Sequence, residues 1–123
     1  MADPAETKPL KVDVLPVAGR TLLAPDGALT HETLGRLDAA LQEAPAPGGR
    51  RQIILDGKAV PIMDSAALER LLTLHETLAQ EGGSLTLIHL TPVCLDILMA
   101  TRLRTVLHVL DDLNQAIRQG GTR

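Results

Sequence analysis

The chain contains no phenylalanine, tyrosine or tryptophan. Without aromatic faces it has no platform for stacking bases, which sets aside single-stranded nucleic acid binding of the RRM or OB kind. An aromatic cage for quaternary ammonium groups is excluded outright. Any protein interface must do without the Trp and Tyr anchors that often dominate binding energy. The core has to come from Leu, Ile, Val, Ala and Met. Cysteine is nearly absent too: Cys94 stands alone, so no internal disulfide forms, which suits a reducing compartment. Neither sign of charge is in large excess, with 12 basic and 15 acidic residues and a net charge of -3. The basic residues are scattered, densest at Arg50-Arg51 and again at Arg102 and Arg104, which argues against a phosphate-backbone binder. No apolar run approaches the roughly 20 residues of a membrane-spanning helix. The start, Met1 to Lys8, lacks the charged opening and apolar run of a signal peptide. The expectation is a soluble, cytoplasmic, single domain, with no membrane insertion and no nucleic acid partner.

What is present alternates between strand and helix signals. Residues 1–9 hold two prolines and no period, and read as a flexible leader; the domain is expected at 10–119, with a flexible tail at 120–123. Lys11 to Val17 alternates, with Val12, Val14 and Pro16 on one face, and predicts an edge strand. Ala18-Gly19-Arg20 turns the chain into a second strand at Thr21 to Ala24, and Pro25-Asp26-Gly27 marks another turn. Thr30 is placed to cap a helix in which Leu34, Leu37, Leu41 and Ala44 form one stripe. Gln52 to Asp56 is a short β-branched run of the kind buried on both faces of a sheet. From Asp64 to Gln80 lies the clearest helix, with Leu68, Leu71, Leu72, Leu78 and Ala79 facing one way and Glu69, Arg70, Thr73, Glu76 and Gln80 the other. Gly82 or Gly83 supplies a left-handed cap. Ser84 to Leu90 reads as a strand. Thr91-Pro92 opens a helix whose apolar face is Val93, Ile97, Leu98 and Ala100. Thr105 to Leu110 suits a last strand, and Asp111 a cap for a final helix carrying Leu113, Ala116 and Ile117. The fold class is α/β: a mixed sheet of four or five strands with about four helices packed against it.

Chemistry concentrates at Met63-Asp64-Ser65, where a strand-like run hands over to a helix start. Backbone N–H groups there lack helical partners and the helix dipole is positive. A phosphate on Ser65 would add about -1.5 to -2 charges to a quiet surface, which is how a switch works. The plainer role for Asp64 or Ser65 is that of a helix cap, since Asp and Ser are common caps. A nucleophilic serine would need glycines two residues to either side and a histidine base, and neither flanking glycine exists. His31, His75, His89 and His108 are spread singly, as packing or surface residues are, and fail metal spacing; Cys94 has no Cys-x-x-Cys partner and reads as a small buried hydrophobe. No phosphate-cradling loop occurs. The expectation is a non-enzyme without cofactor or metal.

Several motifs in order resemble one family. Ile53-Ile54-Leu55-Asp56 resembles the central strand of STAS domains, the fold of bacterial anti-sigma factor antagonists. Met63-Asp64-Ser65, followed by Leu68, is similar to that family's Met-Asp-Ser signature. Gly82-Gly83-Ser84-Leu85 and Leu90-Thr91-Pro92-Val93 resemble its Gly-Gly turn and Ser-Pro-x-Val helix start, and Asp26 to Thr30 its Gly-Glu-Leu-Asp turn. The resemblance covers most of residues 11–118. It implies a protein that binds an anti-sigma factor, itself a serine kinase, and is released by phosphorylation at Ser65. It also implies a partner-binding surface formed by Gly27, Leu29, Thr30, Met63, Asp64, Ser65, Ala66 and Ala67. The chain departs from the pattern at Ala67, Thr30 and Ala28, and at Arg102, where the family's glycine suits a left-handed turn that would strain arginine. The resemblance also leaves open a second role, a non-phosphorylated accessory or scaffold subunit in a stress-signalling assembly or beside the ABC ATPase of a phospholipid transporter. Ala67 and Thr30 lean that way, and intact Asp64-Ser65 leans toward the switch.

Overall fold

The computed structural model describes residues 10–120. A hairpin opens the fold: β1 (Lys11–Val17) and β2 (Arg20–Asp26) pair antiparallel from Lys11↔Asp26 to Val17↔Arg20. The two turn residues, Ala18 and Gly19, both have positive φ, as a two-residue hairpin turn requires. With Val17 and Arg20 closing the turn, hydrogen bonds to β2 come from alternate residues of β1, and Pro16 falls where no N–H is needed.

From β2 onward the chain winds in parallel strand–helix units. α1 (Leu34–Glu43), β3 (Gln52–Asp56), α2 (Ser65–Gln80), β4 (Ser84–Ile88), α3 (Pro92–Ala100), β5 (His108–Leu110) and α4 (Leu113–Gly120) follow in order. The sheet order is β1-β2-β3-β4-β5, with β2 to β5 parallel. The expected mixed sheet therefore stands, with five strands and four α-helices among the described residues. β3 is the central strand, its last four residues all buried. Alternating residues build two cores. Leu23, Ile53, Leu55, Leu85 and Leu87 face a large aliphatic cluster shared with α1, α2 and α3. Leu22, Ile54 and Ile88 meet Ala116 of α4 on the other face.

Local readings shifted in several places. Thr30 does not cap α1: its carbonyl accepts from Thr33 N and Leu34 N and forms the turn that feeds the helix at Leu34. On α2 the buried stripe is Ala67, Leu68, Leu71, Leu74 and Leu78, while Leu72 is half-buried and Ala79 exposed. On α3, Cys94 and Leu98 face the core, whereas Val93 and Ala100 are exposed; Asp96 is the one charged residue in that helix, so periodicity orients it only weakly. Pro16 is exposed, unlike Val12 and Val14. Asp112, not Asp111, caps α4, accepting from Gln115 N at 2.9 Å. The last strand is short because Leu103–Thr105 forms a 3-10 turn, entered through Arg102 at φ 63°. α4 runs to Gly120, one residue past the expected domain end. The leader, 1–9, lies outside the described residues, as do 121–123 of the tail.

Both glycines after α2 have work to do. Gly82 takes φ +84° and lets Gly83 N reach back to Leu78 O at 2.8 Å, closing the helix. At Gly83 a Cβ would run into the Arg51 backbone. Arg51 itself grips Glu81 with two hydrogen bonds, 3.2 and 2.9 Å, tying the start of β3 to the end of α2.

Candidate functional site

Parallel winding brings three loops to one edge of the sheet, beyond the C-terminal ends of β2, β3 and β4. Open α/β sheets carry their sites at this edge. The loop after β2 and the loop after β3 are zipped together: Gly27 N donates to Ala59 O at 3.0 Å, Leu29 N to Ile62 O at 3.0 Å, and Asp64 N to Leu29 O at 3.1 Å. Leu29 and Met63 form an isolated parallel bridge. Both side chains are buried, as is that of Ala67. These three residues thus hold the loops from beneath, and their side chains do not reach the surface.

Asp64 is the hub. It is the N-cap of α2, accepting from Ala67 N at 2.9 Å through one carboxylate oxygen. The other oxygen accepts from His31 N at 3.0 Å and lies 3.3 Å from His31 Nδ1. The backbone hydrogen bond from Ala67, then that from His31, hold its pKa below the usual carboxylate range against a smaller effect of burial. Asp64 therefore stays ionised and fully engaged. Ser65 follows it as the first residue of α2 and is exposed; no hydrogen bond among the described residues engages its hydroxyl. Ala66 is half-buried beside it, and Thr30 and Gly27 are half-buried on the adjoining loop. All eight residues expected at a partner surface therefore lie on these two loops and the first turn of α2. Five of them, Gly27, Thr30, Asp64, Ser65 and Ala66, have accessible surface.

Two features of this edge were not legible from spacing. His31 reads from sequence as an isolated histidine, yet it packs on Asp64, 33 residues away in the chain. Ile62 is 49% exposed immediately before the buried Met63, and the apolar pair Ile62-Met63 was its only signal. The loop after β3 is also stitched to α3. Thr91 caps that helix by accepting from Cys94 N at 3.3 Å, and both Thr91 Oγ1 and Cys94 Sγ donate to Val60 O, at 3.3 and 3.4 Å. Val93, the second residue of α3, is 50% exposed. Deeper at the edge, the nearly buried Asp56 accepts from Lys58 N at 3.0 Å and lies 3.3 Å from His89 Nδ1. His75 and His108 take no part in these contacts. Among the described residues no group of three or more His, Cys, Asp or Glu is placed to hold a metal, and no helix is long and apolar enough to cross a membrane.

Comparison with known proteins agrees with this geometry. The family model described as the STAS domain matches residues 11–116. No curated protein matches the chain. Among solved structures, the chain is similar to a candidate anti-sigma factor antagonist from Thermotoga maritima, with 19% identity, a TM-score of 0.80, and coverage of 89% of this chain and 94% of that one. An anti-sigma factor antagonist from Mycobacterium paratuberculosis matches with 18% identity and a TM-score of 0.79 over 98% of this chain and 99% of that one. The antagonist SpoIIAA in its unphosphorylated form matches with 16% identity and a TM-score of 0.66 over 93% and 99%. At such identities the likeness is one of fold.

Proposed function

The chain belongs to the STAS domain family, and from that premise we propose that it is an anti-sigma factor antagonist. It docks through the first turn of α2 on an anti-sigma factor that is also a serine kinase, and it is switched off by phosphorylation at Ser65. One observation carries this: Ser65 is the exposed first residue of α2, its hydroxyl unengaged, beside an aspartate whose two oxygens are already committed. A phosphate added there would stand beside an ionised carboxylate, which accepts hydrogen bonds and has none to donate. It would set about two new negative charges against an existing carboxylate, and a partner that had covered this helix start would face repulsion and the cost of desolvating a dianion. The exposed aliphatic side chains of Ile62 and Val93 flank this edge and supply apolar contact where aromatic anchors are absent. A structural relative known in an unphosphorylated form is in keeping with such a switch.

Two experiments test the proposal. Incubation with the cognate kinase and ATP should add one phosphate, read by intact-mass spectrometry, and none to Ser65→Ala; a Ser65→Ala chain that is still modified refutes the site. Capture from native extract, with mass-spectrometric identification, should return a kinase-like anti-sigma factor. Recovery of an ABC ATPase with an unmodified chain would instead assign the accessory role.

A further inference from the structure

Among the described residues, the edge of the sheet away from β5 is open, and β1 pairs with β2 alone. Because Val17↔Arg20 closes a two-residue turn, Lys11, Asp13, Leu15 and Val17 bond inward to β2, and the backbone groups of Val12, Val14 and Pro16 point outward. Neither Val12 N nor Val14 N has another backbone partner among the described residues. Pro16 has no N–H and closes one end of this edge to pairing. Beside the free stretch runs a groove of ≈ 340 Å³ between β1 and α1, walled on the helix side by Arg36, Ala39, Ala40 and Glu43.

We propose that this edge pairs antiparallel with the same edge of a second copy of the chain, about a two-fold axis through Val12, so that the two molecules share one continuous sheet. The charges select that occupant and that register. Centred on Val12, the pairing sets Lys11 opposite Asp13 of the second copy, and Asp13 opposite its Lys11. Centred on Asp13, it would oppose two identical carboxylates. Centred on Val14, it would set Val12 against Pro16 twice and lose two hydrogen bonds. A shift between inward- and outward-bonding residues is barred because it would present the wrong backbone groups. The same axis runs α1 antiparallel to its copy on the opposite face of the shared sheet from Lys11 and Asp13. There Arg36 and Glu43 stand symmetrically about Ala39-Ala40, so each Arg36 meets the copy's Glu43 across the small exposed Ala39. Lys11, Asp13, Arg36 and Glu43 are all exposed, and none belongs to an ion pair among the described residues. Two independent elements, a strand and a helix, are thus self-complementary about one axis, as an isologous interface requires. Ser65 opens α2 beyond the C-terminal end of β3, and the two-fold axis turns the two helix starts toward opposite ends of the shared sheet. The inference does not depend on the role proposed for Ser65.

Sedimentation velocity on the full chain, from micromolar to millimolar concentration and at low and high salt, tests it. The expected result is a reversible dimer that weakens as salt rises. Asp13→Lys places Lys against Lys twice across the axis and should weaken the dimer at least about ten-fold, about 1.4 kcal/mol. Lys11→Asp added to Asp13→Lys should restore it. Arg36→Glu should act in the same way and be rescued by Glu43→Arg. All four side chains are exposed, and circular dichroism confirms that the variants keep their fold. A chain that stays monomeric across the range overturns the proposal, as does a dimer whose affinity ignores both single reversals.

Discussion

Asp64 does three jobs at once: it caps α2, anchors the loop after β2 through His31, and leaves its neighbour Ser65 free. Asp64→Ala should cost about 1 kcal/mol of stability, the usual worth of an N-cap, measured by urea denaturation, whereas Ser65→Ala should cost little because that hydroxyl is unengaged. The pH dependence has a definite sign. The folded-state pKa of Asp64 is lowered, so its ionised form stabilises the fold above the unfolded value of about 3.9 and loses that contribution as pH falls through the lower folded value. The stability gap between the wild type and Asp64→Ala should accordingly be constant near neutrality and narrow in acid; a gap that widens in acid contradicts it. At this scale the sequence showed the Asp-Ser pair and the helix start that holds it. It did not show His31, because the contact joins loops 33 residues apart and no periodicity records a pairing between two loops.

Elements were legible where their residues had one job. α2, with a capping aspartate, a strong stripe and a double glycine, was visible almost to its ends, as was β3 as the central strand. The buried stripe differs from the expected one by a row: Leu74 is buried and Ala79 exposed, and Ala67 sits fully in the core. This also places the Ala67 methyl group away from any partner that meets the surface. Leu74→Ala should therefore cost about 2–5 kcal/mol and Leu72→Ala clearly less, compared by thermal or chemical denaturation; a loss at Leu72 equal to or larger than that at Leu74 would contradict this. α3 resisted reading for a physical reason, since a helix whose one charged residue is Asp96 carries little directional signal. The hinge after it was foreseen: Arg102 occupies the left-handed turn, where L-residues other than glycine are strained. Arg102→Gly relieves that strain at the cost of unfolded-chain entropy, and should leave stability unchanged or raise it by up to about 1 kcal/mol; a loss larger than that would show that the arginine side chain supports the turn.

For the whole molecule, parallel winding explains why scattered small motifs gather into one candidate site at one edge of the sheet. The loops after β2, β3 and β4 have no neighbours in sequence, and only the strand order brings them together. Sheet topology itself was legible only as mixed α/β, since the order of strands depends on which edges pair, and the open edge of β1 is where a second copy is expected to join. The missing aromatics, which first excluded functions, also make the central claim measurable. The chain contributes no tryptophan or tyrosine signal, so any fluorescence change on binding belongs to the partner. Titration of the anti-sigma factor with this chain, unmodified and then phosphorylated at Ser65, should give tight binding in the first case and at least about ten-fold weaker binding in the second. Equal affinities for the two forms would contradict a switch at the start of α2.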